Sequence, residues 1–357
     1  MKSWIDKTTI AVILISIPIL TLLVVNYLSR DDNPDEEIEY EYDFVVGFYI
    51  AGESFDSKLI DDDISDTLGL ENDKVKFFYL VDYDGPGNTE FFQGNNYTRD
   101  RLNISDILPY DADELNLGSV DVFSAYGDFI HSYNAHHHCL MVWGHGKGYE
   151  GICFDGSSSL NSTEIYESLA DKDFDLIVFD ACEMASIEFL YEIRGVSDYV
   201  MATEKDLPDR GYDYAGGFSS FVYGEDRDPL ALARSLMDST RSYYDRNPSK
   251  YSLQISLIDM EEITDLCDNM LERETFDFTD KPPYYESGKR FDLGLYFDMN
   301  GMEDLRGDLN ESVAYQVTLP CSSGVDIEGI SGISMIDPDK SESIPLIDGL
   351  LSGSRER

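Results

Sequence analysis

The chain has 357 residues, with 26 Lys and Arg against 71 Asp and Glu, for a formal net charge of −45. Phosphate binding needs basic patches, so this balance argues against nucleic acid as a partner. Hydrophobic and aromatic shares of 42% and 13% argue against a disordered acidic chain and leave a folded protein with a solvated, self-repelling surface.

Residues 10–28 form an uncharged, mostly aliphatic run interrupted by Pro18. At ~1.5 Å per residue it nearly matches a ~30 Å hydrocarbon core. Lys2 and Lys7 precede it and an acidic stretch follows Arg30, so the positive flank predicts an N-terminus inside and a body outside the cell membrane. The expectation is a transmembrane signal-anchor over 1–29, then an acidic tether over 30–42. Secretion after signal-peptide cleavage is the rival, but the run is long for such a peptide and no A-x-A site follows. Sequons at Asn96, Asn103, Asn161 and Asn310 fit an exported body.

The body then alternates strand and helix signals. Strands are expected at 43–51, 74–81, 139–146, 175–182, 198–203, 253–258, 312–319 and 329–336. Helices are expected at 57–70, 119–133, 162–169, 183–193, 229–246 and 261–272. Such alternation is the signature of an α/β parallel sheet. The acid-rich stretches Asp61 to Asp63 and Asp82 to Asp84 read as solvated loops; Ca²⁺ binding there lacks EF-hand spacing. His136, His137 and His138 read as a polar loop before a strand, since adjacent imidazoles rarely converge on one metal ion.

Cys139, Cys153, Cys182, Cys267 and Cys321 show no metal-ligand spacing. Cys139 falls in a core strand and reads as a small buried hydrophobe. Cys182 differs because, like His145, it stands just past the carboxyl end of a buried strand, where open α/β sheets place their sites. A thiol and an imidazole at one sheet edge are the parts of a cysteine hydrolase. The helix expected from 183 would favour a thiolate through its N-terminal amides and dipole. The plain alternatives are a buried structural thiol and a turn histidine. Asp180 points either into a cleft or back to the amides of that helix start.

The segments Trp143-Gly144-His145-Gly146-Lys147-Gly148-Tyr149 and Phe179-Asp180-Ala181-Cys182-Glu183-Met184-Ala185 resemble the two active-site blocks of the clostripain family, cysteine endopeptidases with a caspase-like fold. Stretches at 45–51, 75–85, 203–214, 252–259 and 332–338 fit in the family's order. The likeness covers most of 43–340 and leaves 341–357 as a tail. It implies a caspase-like, mostly parallel sheet flanked by helices, preceded here by the transmembrane helix. It implies that Cys182 attacks the scissile carbonyl, that His145 protonates the leaving amine, and that the Gly146 and Cys182 amides form an oxyanion hole. By the same resemblance Asp180 lies in the pocket for a basic P1 residue, Arg or Lys. Glu204 or Asp209 would supply a second acid, and Tyr212, where the family often has Trp, an aromatic wall. Peptide or protein substrates are the implied partners, with no cofactor required, although some relatives depend on Ca²⁺.

Many family members mature by cutting a basic site between the two blocks. Here 155–162 holds no Lys or Arg, and only Lys147 and Lys172 are basic in the interval, so the chain is expected to act uncut or to be processed elsewhere. A catalytically silent surface-binding module is the competing reading; the presence of both His145 and Cys182 argues against it. The sequence does not indicate an oligomeric state.

Overall fold

The computed structural model describes residues 39–353 except 110, 111, 209, 274, 275, 284, 286, 287, 322–328 and 342. The expected anchor at 10–28 lies outside the described residues. Among the described residues no helix is long and apolar enough to cross a membrane.

The strands are β1 (Tyr42–Gly52), β2 (Val75–Tyr83), β3 (Glu90–Asn95), β4 (Thr98–Arg101), β5 (Ala135–Trp143), β6 (Ile152–Asp155), β7 (Ser158–Leu160), β8 (Phe174–Asp180), β9 (Ser197–Ala202), β10 (Leu253–Asp259), β11 (Arg290–Asp292), β12 (Val313–Leu319) and β13 (Ser334–Ile336). Nine of them form one sheet in the order β12-β10-β9-β8-β5-β1-β2-β3-β4. The central strands β9, β8, β5, β1 and β2 run parallel. Both flanks are antiparallel, β3 and β4 on one side and β10 and β12 on the other. The sheet is therefore mixed, with a parallel centre and an antiparallel pair of strands at each side. The unexpected β3–β4 hairpin explains one flank: parallel neighbours need a long crossover, whereas Asn96 and Tyr97, both at positive φ, close a two-residue turn.

The helices are α1 (Ser57–Thr67), α2 (Val120–His131), α3 (Ser162–Leu169), α4 (Ile187–Glu192), α5 (Tyr214–Val222), α6 (Pro229–Arg246), α7 (Met260–Glu272), α8 (Leu293–Met299), α9 (Glu303–Ser312) and α10 (Pro345–Gly353). Alternate strand residues serve opposite faces. Val45, Leu140 and Ile177 join the core that α2, α3 and α7 cover, while Val46, Cys139 and Val178 join the one under α1, α5 and α6. Each fully buried aliphatic side chain is worth about 1.5–3 kcal/mol. Cys139 is fully buried, as its place in the strand predicts.

Three local expectations are corrected. The segment 341–357 is not a bare tail, because α10 buries Leu346, Ile347 and Leu350. The three histidines lie within β5; His137 Nδ1 meets Asp175 at 2.6 Å and His138 Nε2 meets the Tyr133 carbonyl at 2.9 Å. Asp61 to Asp63 are part of α1, within the helix expected at 57–70, and not the solvated loop that their acidity alone suggests. Asp61 pairs with Arg99, Asp62 with Lys58, and Asp63 with Arg210.

The helix expected at 183–193 is only α4, which begins five residues after Cys182. The intervening backbone spends its hydrogen bonds sideways. The Glu183 and Ala185 amides donate to the Lys205 and Thr203 carbonyls at 3.0 and 2.7 Å, and the Ser334 amide donates to the Ala185 carbonyl at 2.9 Å. Held between two extended segments, this stretch cannot coil, and Glu183 sits at φ +60°.

Arg290, only 1% exposed, reaches from β11 to fix the same region. Its guanidinium pairs with buried Glu188 of α4 and with Glu183 at 3.3 Å. Its Nη2 donates to the Lys147 carbonyl at 3.0 Å, two residues after His145. One side chain thus joins the segments that follow His145 and Cys182. Arg290→Met leaves two carboxylates without their cation, a loss expected at about 3–5 kcal/mol. Denaturant unfolding at neutral pH measures it, and Arg290→Met with Glu188→Gln should recover part of the loss. A loss below about 1 kcal/mol would remove Arg290 from this role.

Candidate active site

Strand register brings His145 and Cys182 together. Trp143 of β5 is paired with Asp180 of β8 in a parallel ladder, so each reactive residue lies two positions beyond the same rung. Both line one cleft of about 230 Å³, together with Phe55, Trp143, Asp180, Asp206, Leu207 and Tyr251. A Cβ on Gly146 would come within 2.6 Å of the Cys182 carbonyl, which shows how closely the two segments pack.

Phe55 stacks on the His145 ring with centroids 4.1 Å apart and also touches Trp143 at 4.4 Å. The Trp143 indole N–H donates to Asp63 at 3.1 Å, which anchors this wall to α1. Burial, with a smaller contribution from the Lys147 charge, lowers the His145 pKa, so the ring is held neutral. A separate bridge pairs Gly146 with Ile152, but its hydrogen bonds use the Lys147 and Cys153 amides, not that of Gly146.

The Cys182 thiol does not have the setting expected of it. Without a helix at 183 it has no helix N-terminus to stabilise a thiolate. Burial pushes its pKa up to about 11, and the carboxylates of Asp206, Glu183 and Asp180 add to the rise. Opposing them is the Leu207 amide, which donates to Sγ at 3.3 Å. Both shifts favour the uncharged forms, a thiol at Cys182 and a neutral imidazole at His145.

Asp180 is nearly inaccessible, at 4% exposed, yet lines the cleft. Its Oδ2 accepts from the Tyr214 hydroxyl at 2.7 Å and the Tyr212 amide at 3.3 Å. These donors, not the amides after Cys182, hold it, and both bind the same oxygen. Burial pushes its pKa up to about 7. Gly211 covers the carboxylate; at φ +66° it has a conformation that favours glycine, and a Cβ there would lie 2.6 Å from both Oδ atoms.

The remaining sequence candidates divide. Glu204 is fully buried and is not among the cleft-lining residues; its amide donates to Gln254 at 2.8 Å. Burial and the nearby Asp292 raise its pKa, and its position makes it an interior acid rather than a second cleft acid. Tyr212 is also fully buried, its hydroxyl donating to the Phe179 carbonyl at 3.0 Å, and serves as a strut. The aromatic walls are Phe55, Trp143 and Tyr251 instead. Asp209 lies outside the described residues. Asp206, which sequence reasoning passed over, lines the cleft. Its neighbourhood in 203–214 was the only available signal, and one acid among 71 gives no further mark. Among the described residues no group of three or more His, Cys, Asp or Glu side chains is arranged to hold a metal ion.

Comparison with known proteins follows the same line. The profile of the clostripain family, peptidase C11, matches residues 48–274. No curated protein sequence matches. Two solved structures of a secreted C11 cysteine protease from Bacteroides thetaiotaomicron share this fold. The one in complex with an irreversible peptide inhibitor has a TM-score of 0.69 at 20% identity, covering 87% of this chain and 99% of that one. The other, called iotapain, has a TM-score of 0.70 at 17% identity, covering 87% and 100%. An inactive zymogen C11 protease from Parabacteroides distasonis has a TM-score of 0.67 at 18% identity, covering 89% and 98%. At such identities the structures establish the shared fold. The profile match spans well over half of the sequence, and with it the chain belongs to the clostripain family and is a cysteine peptidase.

Proposed function

We propose that the protein is an endopeptidase in which Cys182 and His145 form the catalytic dyad and Asp180 selects Arg or Lys at P1. The observation that carries this reading is the single cleft lined by all three side chains. Asp180 offers Oδ1 to a guanidinium or ammonium group, because its two donors occupy Oδ2. Asp206, on the same cleft, adds a second acid, the role that the resemblance gives to Glu204 or Asp209.

Starting from neutral partners, His145 receives the thiol proton as Sγ attacks the scissile carbonyl. The carbonyl oxygen gains the negative charge, received by the amides of Gly146 and Cys182. The protonated imidazole then gives its proton to the departing amine, leaving a thioester that water hydrolyses. No cofactor enters these steps. The body acts outside the cell in this reading, tethered by residues 10–28. Release after cleavage of that segment is the alternative, and the Bacteroides thetaiotaomicron relative is described as secreted.

Peptides with Arg, Lys, Gln or Asp at P1 before a fluorogenic leaving group test the assignment with the full chain. Cys182→Ala should abolish turnover; undiminished turnover would sink the dyad. Asp180→Asn should lower kcat/KM for Arg about 10- to 100-fold more than for Gln, the worth of a charge-assisted hydrogen bond. Equal losses for both peptides would take Asp180 out of the specificity argument.

The pH dependence has a definite sign. Asp180 is a carboxylate above its raised pKa of about 7 and neutral below it. The Arg-over-Gln ratio should therefore be greatest at alkaline pH and decline as pH falls through about 7. A ratio unchanged from pH 5 to 9 contradicts this account. Independently, iodoacetamide should alkylate Cys182 slowly at neutral pH and faster towards pH 11, against an ordinary cysteine pKa of ~8.5. Rapid alkylation at pH 6 would instead mean a preformed thiolate–imidazolium pair.

A further inference from the structure

One buried carboxylate beside the cleft has no part in the chemistry above. Asp63 sits in the middle of α1, is 3% exposed and is not among the cleft-lining residues. Its two oxygens serve different parts of the cleft. Oδ2 accepts from the Trp143 indole N–H at 3.1 Å, and Oδ1 pairs with the Arg210 guanidinium.

Each partner adjoins a group that the proposed reaction uses. Trp143 lies two residues before His145 and touches Phe55, whose ring stacks on the imidazole. Arg210 directly precedes Gly211, which packs over the Asp180 carboxylate. The guanidinium is forked: besides Asp63 it pairs with Asp66, one turn further along α1. On its other side the Gly211 carbonyl accepts from the Tyr244 hydroxyl of α6 at 3.1 Å. The backbone over Asp180 is thus tied to α6 at Gly211 and to α1 at Arg210.

A neutral amide oxygen would accept from Trp143 equally well, so the indole does not account for an acid at position 63. Arg210 does, because a charge this deep is costly unless it is paired. Such pairs fix geometry more than they add stability. We infer that Asp63 is a positioning residue for P1 selection: through Arg210 it sets where Gly211 lies over Asp180, and through Trp143 it ties that pocket to the wall of His145. The inference rests on the peptidase reading above, with Asp180 as the P1 acid.

The test uses the full chain, with kcat and KM measured separately on the Arg and Gln peptides. Arg210→Gln removes the guanidinium from a partly exposed position. It should raise KM for the Arg peptide about 10-fold while changing kcat less than about 3-fold, with the Gln peptide little affected. Asp63→Asn keeps an acceptor for Trp143 but loses the ion pair, and should act in the same way. The double variant should be no worse than Asp63→Asn alone, because both substitutions break one connection. Arg210→Lys keeps the charge without the planar fork, so it should fall between the wild type and Arg210→Gln. A merely structural role would lower kcat for both peptides alike, as folded enzyme is lost, and leave KM unmoved. That pattern overturns the inference, as do additive losses in the double variant or an Arg preference untouched by both single variants. The wild type separates the two readings. If it prefers Arg and Asp180→Asn removes that preference, an unmoved ratio in the Asp63 and Arg210 variants defeats the positioning role alone. If the wild type cleaves neither peptide or shows no Arg preference, the P1 assignment falls and the positioning role with it.

Discussion

The buried guanidinium of Arg290 is the constraint on which the geometry of this molecule turns. Its partners are Glu183, Glu188 and the Lys147 carbonyl, which belong to the segments following the two proposed catalytic residues. Strand register alone sets where β5 and β8 end; it does not say where the chain goes two residues later. A planar group with donors on several edges can bind both exits at once, which a lysine cannot do. Buried ion pairs add little net stability over an apolar filling, so this one is better understood as fixing position than as strengthening the fold.

The charges around the cleft work in two directions. Asp180, Asp206 and Glu183 help keep the Cys182 thiol protonated, against the interest of a nucleophile. Asp180 and Asp206, which line the cleft, are on the proposed reading also the groups that favour a cationic side chain. On the proposed reading, a bound Arg or Lys offsets part of the field that opposes the thiolate, so activation falls in the moment when the right substrate is present. A thiol kept neutral at rest is also less prone to oxidation or adventitious alkylation.

Much of this was legible in the sequence, for identifiable reasons. The central strands announce themselves because both faces are buried, which leaves unbroken apolar runs such as 176–179. Helix α6 matches its expected bounds because Asp228 and Pro229 mark its start and Leu232, Leu236 and Met237 keep helical spacing. The helix at 183 was misjudged because its residues are good helix formers, and lateral hydrogen bonds to 203–205 and β13 override that preference. The β3–β4 hairpin escaped notice because its strands are short and largely polar. Arg290 left no trace at all: a single arginine reads as surface, and its partners lie more than a hundred residues away. Glu204 and Tyr212 fall in the right stretch but are fully buried, and composition alone does not say which residues of that stretch reach the cleft.

Gly211 carries an evolutionary consequence. Every amino acid one base change away from glycine brings a Cβ, which here would lie against the Asp180 carboxylate in a backbone conformation that disfavours it. Access to that acid is therefore a single mutation from being lost, with the sheet and the proposed dyad untouched. A lineage could change what enters the cleft without rebuilding anything beneath it. An open pocket at this position persists only while selection on the substrate continues to maintain it.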